Sequence, residues 1–598
     1  MTGPAEPATT HGHHLVSAGD QWVLGVDRAT GRVTVNGVLQ PPQRRAVLAG
    51  WLAEPLTLDQ VVTAYAEAGD RALPHLRGQF ALAILEPASS GVTVVRDPTG
   101  VYPLFYAVTA STVWCSNAVD CLLDQPGVSA ELNRLAIADH VCKRWPVSDE
   151  TFFESVRRVL PASFLRVRGG VVTTTRYWHP AGDRIDWLPD DEDDQFDQAL
   201  DQAVARGLRG QTAVFLSGGF DSVSVAAVAT DLARQKGAPV PRALSIGFPD
   251  PECDEQHIQS PVAGRLGLEM DLVPFAECVA PEGLLARGLA LNASLPAPLL
   301  NAWTPAYLSL VRRGRAAGVD TIYTGEGGDE WLGNSPFLAA DYLRRGHVRG
   351  LWNLTRTWRR SYPQGLPTVL RDVVWTFGLR PLIGQVMAKL DPVRWDDRRA
   401  ERAMEGRPDW IAAAPDLRRA QFERARAALV DANPRDGFYV RELWGTLDSP
   451  LQTRVFEEQF EMGRRAGVDF VHPYWDPDLI ANICRINPVR LDAGHRSKAL
   501  VRRTLATRFP GLGFERQRKA VAMQFFAGLV RREAPVLAAN VSDFRGLASL
   551  GVVEPRRAAA FVGRALAGSV QEVGWAWNLV NTESWVRHAL ARRRKGSG

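Results

Sequence analysis

The run TAVFLSGGFDSVSVAAVATDLARQKG, which starts at Thr212, changes character once, and that change limits what the chain can be. An apolar stretch of strand type ends at Ser217, Gly218, Gly219, Phe220, Asp221 and Ser222, and a helical stretch rich in alanine and valine follows. Two glycines let the backbone approach an anion with no side chain in the way. The amides that open the next helix point to the same spot, where the helix dipole favours negative charge. Asp221 is the odd member, because a carboxylate among phosphates repels them unless a cation stands between. Magnesium is therefore implied. A plain glycine-rich strand-to-helix turn is the bland alternative; the strand before and the Asp-Ser after favour a phosphate cradle.

The downstream pattern repeats this grammar. PRALSIGF gives a second β-run near Arg242 to Phe248, a helix follows from about Glu255 to Leu266, and another spans Thr304 to Ala317. VDTIYTGEGGDEWLG then predicts a strand end at Thr321 to Tyr323 and a second glycine-rich turn, Thr324 to Asp329, carrying two acids. Strand, helix and strand in this order predict a doubly wound parallel sheet of the α/β class, in which ligands bind beyond the carboxyl ends of the strands.

Upstream the character differs. From Leu15 to about Tyr177, short apolar runs alternate with Gly, Pro and Asp, which predicts an α+β, strand-rich domain. Val33 to Val38 reads as a strand broken at glycine, Leu58 to Ala68 as a helix and Phe80 to Leu85 as a buried strand. VTVVRDPTGVYPLFYA reads as a strand, a turn at Asp97 to Gly100 and another strand. His179 to Asp194 is acidic and contains proline, a connector into a helix that begins at Gln195.

Composition excludes several classes. A net charge of +4 over 598 residues gives no case for nucleic acid. No apolar run nears the roughly 18 residues of a membrane helix, so no membrane partner is expected. Six cysteines are scattered without a C-x-x-C pair, which argues against structural zinc and for a reducing, cytoplasmic setting.

The first part of the chain resembles the glutamine-hydrolysing domain of asparagine synthetases, with Gly78, Phe80, Ala81, Arg96, Asp97, Gly100, Pro103, Leu104 and Tyr106 in the places of that family's strand-turn-strand run. That family's glutaminase uses a cysteine directly after the initiator methionine. Thr2 stands there, followed by Gly-Pro-Ala-Glu-Pro, so the expectation is a degenerate class II glutamine-amidotransferase-like domain of the Ntn type over residues 1–185, without its nucleophile. SGGFDS and GEGGDE in this order, with ALSIGF between and RRTLATRFPGLGFERQRK after, resemble the ATP-pyrophosphatase fold of the same superfamily, expected over 195–598 with a helical insert at about 337–460.

The resemblance implies roles position by position. Ser217, Gly218, Gly219, Asp221 and Ser222 would hold the phosphates of ATP, Asp221 and Asp329 would bind Mg2+, and Phe215, Ile246, Thr324 and Gly325 would line adenine and ribose. Glu326 matches an acid near the amine nucleophile, and Lys519 a lysine that offsets charge as an acyl-adenylate forms. AGVDFVHPYWDPDL matches the family's aspartate-recognising segment loosely: Asp469 and Asp476 keep the acids, but the arginine is missing. The insert is rich in Trp and Arg, with Trp352, Trp358, Trp375, Trp395, Trp410 and Trp444 between breaks at Pro363, Pro392 and Pro434. It reads equally as a peptide-gripping surface and as ordinary helical core.

With no glutaminase expected, the amine would be free ammonia or one already on the substrate. The chain is most similar to lasso peptide macrolactam synthetases, and also to β-lactam synthetases, in which a tyrosine is expected where Glu326 stands. A lasso cyclase would take a precursor core peptide and work beside a leader-peptide protease and a leader-binding protein. The alternatives are an ammonia-dependent asparagine synthetase, a β-lactam-synthetase-like ligase on a small acid, and a non-catalytic binding relative.

Overall fold

The computed structural model describes residues 13–16, 21–41, 45–53, 56–86, 91–181, 187–188, 194–333, 335–362, 364–427, 437–492, 496–514, 517, 521–540 and 543–596. Thr2, Pro363, Pro434 and Lys519 lie outside these residues.

Two six-stranded sheets built from the first 176 residues stack on each other. Their inward rows, Leu24, Val26, Val113 and Cys115 from one sheet and Val47, Ala81, Val94 and Leu165 from the other, form one core, as alternate residues of a strand must. The helix Leu58–Ala68 covers the outer face of one sheet through Val61, Val62 and Tyr65, and Thr57 caps it. The strand predicted over Val33 to Val38 is a hairpin, Val33–Val35 and Val38–Leu39, turned at Asn36 and Gly37, both at positive φ.

The turn at Asp97 to Gly100 serves structure. The buried Arg96 guanidinium donates to the carbonyls of Tyr102, Val159 and Gly100 at 2.6 to 2.8 Å. Asp97 accepts from the amides of Thr99, Val101 and Tyr102 at 2.9 to 3.2 Å, and burial pushes its carboxyl up to about 6.

Beyond this sandwich lies a five-stranded, all-parallel sheet: β1 (Thr212–Phe215), β2 (Arg242–Gly247), β3 (Met270–Pro274), β4 (Thr321–Tyr323) and β5 (Asp469–Val471), in spatial order β3-β2-β1-β4-β5. Sequence reading predicted β1, β2 and β4; β3 and β5 extend both edges. Alternation splits the interior in two: Ala213, Leu244, Ile322 and Phe470 enter one core, while Val214, Ala243, Tyr323 and Val471 enter the other. The helices that matter below are α1 (Asp194–Arg206), α2 (Phe220–Gln235), α3 (Gln256–Leu266), α4 (Thr304–Ala316), α5 (Leu338–Arg344), α6 (Val348–Ser361), α7 (Arg380–Leu390), α8 (Pro450–Ala466) and α9 (Ala499–Arg508). Val223 to Ala229 of α2 are all buried, which explains why that helix lacks a polar stripe. The chain moves outward from β1 to β2 and β3, then returns past β1 to β4. The order therefore reverses beside β1, where such sheets open a crevice.

The two halves are tied by ion pairs. Arg158, on the strand Val156–Arg158, donates to both oxygens of Glu457 on α8 at 2.6 and 2.9 Å, with both side chains largely buried. Arg158→Ala would leave Glu457 without this partner in a poorly solvated place. It is expected to cost about 3–5 kcal/mol of unfolding free energy, read by urea denaturation.

Candidate active site

The carboxyl ends of β1, β2 and β4 open into one cavity of about 1150 Å³. Gly219 caps α2 with extended backbone and no side-chain hydrogen bond, so the first amides of α2 keep their donors for another acceptor. Ser222 Oγ bonds Ser217 Oγ at 2.8 Å and the carbonyls of Ser217 and Gly219 at 3.1 Å, which fixes the shape of the turn.

The second glycine-rich turn packs directly on the first. A Cβ on Gly325 would stand 2.7 Å from the Ser222 amide nitrogen, and one on Gly328 would stand 2.2 Å from Asp221 Oδ1. Glycine at both places is therefore a condition of bringing the two acids together. Thr324 Oγ1 meets His472 Nδ1 at 2.7 Å, and burial pushes that imidazole down to about 3, so a neutral ring positions the threonine.

Lys498, just ahead of α9, completes the group. Its Nζ donates to Asp221 Oδ1 and Oδ2 at 2.7 and 2.8 Å and to Asp329 Oδ1 at 2.8 Å. Lys498 has a left-handed backbone, φ 59°, held by its amide donating to Asp492 Oδ1 at 2.9 Å. A non-glycine residue there costs about 1–2 kcal/mol, a conformation retained where a site needs it. Burial raises the Asp221 carboxyl above its ordinary range, while Lys498 pulls it back. Arg502 stacks its guanidinium 4.6 Å from the Phe220 ring and donates to the carbonyls of Ser497 and Phe514, which braces α9 against the cradle.

Phe215, Ser217, Gly219, Asp221, Ser222, Ile246, Thr324, Gly325, Glu326 and Asp329 all line this cavity, so the structure brings together almost every residue singled out from sequence. Gly218 is buried against Glu255, where a Cβ would meet the Glu255 Cβ at 2.9 Å. Asp469 and Asp476 belong elsewhere. Asp469 lies on β5, 3.6 Å from Arg209, and Asp476 pairs with Arg206 and caps the helix Pro477–Arg485. The far wall is α8, which contributes Leu451, Gln452, Val455, Glu458 and Met462. Half-buried Glu458 there accepts from the amides of Leu300 and Asn301 at 2.6 and 3.0 Å. Tyr307 lies between, its phenol pushed up to about 12 by burial and by the charges of Glu326 and Glu255.

The donor set suits magnesium. Two carboxylates already converge on one cation, hard oxygen ligands of the kind this ion takes alongside phosphate oxygens. Among the described residues no group of three or more His, Cys, Asp or Glu could hold a metal.

Residues 195–587 match the asparagine synthase family and residues 58–178 the glutamine amidotransferase domain. The chain belongs to the asparagine synthase family. Its amidotransferase domain of the Ntn type thus precedes a synthase domain whose parallel sheet carries the site described above. Members of the family are ATP-dependent, AMP-forming ligases. A protein named Amidase chyE, from Penicillium rubens, is 29% identical over 302 residues, 47% of this chain and 44% of the relative. The glutamine-hydrolyzing asparagine synthetase 3 of Bacillus subtilis is 25% identical over 189 residues, 31% of this chain and 30% of the relative. The chain thus spans less than half the length of either. Among solved structures, a glutamine phosphoribosylpyrophosphate amidotransferase of Bacillus subtilis covers 42% of this chain and 59% of its own at 11% identity, but its TM-score of 0.17 carries no argument.

Within the amidotransferase domain the surroundings of the cysteines favour the thiol over the thiolate. Burial pushes the Cys115 thiol up to about 12 and Cys142 up to about 11, and raises Cys121. A thiolate nucleophile needs the opposite shift.

Proposed function

We propose that this synthase is an ATP-dependent lasso peptide cyclase. It adenylates an Asp or Glu side chain of a leader-free precursor peptide and joins that acyl group to the peptide's N-terminal amine. The observation that carries this reading is the cavity itself: one space holds the phosphate cradle, the Asp221–Asp329 pair and Glu326, then continues across the mixed apolar and amide wall of α8. At about 1150 Å³ it exceeds the roughly 300–1,000 Å³ of an ordinary small-ligand site.

In the chemistry proposed, a substrate carboxylate oxygen attacks the α-phosphorus of ATP, pyrophosphate leaves, and an acyl-adenylate remains. Ser217, Gly219 and Ser222, with the open amides of α2, hold the departing phosphates. Asp221 and Asp329 would hold Mg2+, which when bound would neutralise phosphate charge. The peptide amine then attacks the acyl carbon, AMP leaves, and Glu326 takes the proton from the new ammonium. Phe215 and Ile246 supply an apolar slot for the base beside Thr324 and Gly325. Lys519 keeps the countercharge role its motif implies. A leader-peptide protease and a leader-binding protein would act upstream.

The asparagine synthetases among its relatives favour a second reading, an ammonia-dependent ligase on a small acid. One assay separates the two. With ATP, Mg2+ and a leader-free precursor peptide, the cyclase is expected to give AMP and a peptide lighter by one water. AMP formed only with free aspartate and ammonia would replace the first reading with the second.

A further inference from the structure

The helical insert carries an apolar row that its own fold does not use. Residues 366–390 run as the helix Leu366–Val369, a π-helical segment Leu370–Leu379 and α7. One side of this run is spent on the protein: Val369, Val373 and Gly378 are buried, and a Cβ on Gly378 would meet the Leu343 side chain of α5 at 2.8 Å. A second row faces out. Leu366, Leu370, Trp375, Leu379, Ile383, Val386 and Leu390 are each between 39% and 74% exposed. Their steps of four, five, four, four, three and four residues keep to one side of an α-helix widened by π turns. α7 has no fully buried residue; it packs through Gly384, where a Cβ would stand 3.2 Å from the Trp395 ring of the next helix, and leaves Ile383, Val386 and Leu390 exposed. Nearby α6 adds exposed Val348 and Trp352, at 76% and 66%. A globular helix buries its apolar stripe, and contiguous apolar surface left outside marks a contact still to be made.

The charges around the row say what kind of contact. α6 bears Arg349, Arg356, Arg359 and Arg360, and the following run bears Arg371, Arg380 and Lys389; all are exposed. Asp372 is the one acid from 348 to 390, and it already pairs with Arg371 at 2.9 Å. Exposed tryptophans and leucines fringed by arginine and lysine fit the headgroup layer of an anionic bilayer. Among the described residues no helix is long and apolar enough to cross a membrane, which leaves attachment in the plane of the surface.

We infer that the face formed by α6 and residues 366–390 docks this synthase on anionic lipid bilayers, a surface contact that runs against the expectation of no membrane partner drawn from the lack of a spanning segment. The inference stands apart from the choice of substrate. Its test uses the full chain, pelleted with vesicles of phosphatidylcholine alone or of phosphatidylcholine mixed with phosphatidylglycerol. Binding is expected to the mixed vesicles only, and to weaken as salt rises. Ile383→Glu with Val386→Glu should lower it at least about tenfold. Arg359→Gln and Arg360→Gln should each lower it about fivefold. All four positions are solvent-facing or flank the row, so thermal melting should hold. The inference is overturned by no binding to the mixed vesicles, by equal binding to both, or by full binding in the double glutamate variant. A concentration-dependent dimer that the glutamates dissolve, seen without vesicle binding, would assign the face to a second copy instead.

Discussion

Asp221→Asn should lower ATP-dependent AMP formation by at least about a thousandfold, because it removes a charge aimed at the reacting phosphates while keeping the shape of the side chain. Both Asp221 oxygens are engaged by Lys498 Nζ, and the carboxylate touches the Gly328 turn that carries Asp329. The amide cannot serve as an anionic ligand, and one of its ends now presents N–H groups to an ammonium. The backbone cradle from Ser217 to Ser222 is untouched, so the KM for ATP should move far less than kcat. The rate of pyrophosphate release at saturating ATP measures kcat, and its dependence on ATP concentration gives KM. Turnover within tenfold of the parent would remove Asp221 from the metal and phosphate roles given to it here.

What made this site legible was local. The glycine-rich turns announce themselves because only glycine tolerates the contacts at 325 and 328, and β1 and β4 end on them. The helix predicted at Leu58 to Ala68 has those bounds because capping, apolar spacing and a closing glycine agree. β3 and β5 escaped because neither leads into a glycine-rich turn as β1 and β4 do: Met270–Pro274 is mostly half-buried at the sheet's edge, and Asp469–Val471 is only three residues long with no such turn behind it. Asp469 and Asp476 hold the acidic places of a loosely matched family segment, yet each meets an arginine, Arg209 or Arg206, more than 250 residues away in sequence. No local pattern contains that information. Arg206 is at the last turn of α1 and Asp476 opens the helix after β5, and only the folded sheet brings these ends together.

The insert shows the same limit from another side. Its tryptophans divide: Trp410 is buried at 6% exposure, while Trp352 and Trp375 are more than half exposed. Composition marks both kinds alike, and only tertiary packing separates core from contact surface. Pro392 does act as punctuation, at the first position of the helix Pro392–Ala403 directly after α7 ends at Leu390.

Lys498 is the functional residue that sequence reading passed over, and its replacement is the second large effect expected. It lies in HRSKALVRR, a basic stretch with no motif of its own, and is placed by a left-handed turn and by Asp492. Lys498→Met keeps the length of the stem but leaves Asp221 and Asp329 facing each other with this ammonium gone. Removing one partner of a buried pair costs about 3–5 kcal/mol, so the variant should melt well below the parent. AMP formation should fall at least about a hundredfold, since a charge preorganised beside the cradle is lost. The same change makes a further outcome readable. With the competing ammonium removed, the two carboxylates should take Mg2+ without substrate, so the ion should raise the melting temperature of Lys498→Met more than that of the parent. Equal shifts in the two proteins would mean that Asp221 and Asp329 do not form a cation site, and that Lys498 only neutralises a buried acid.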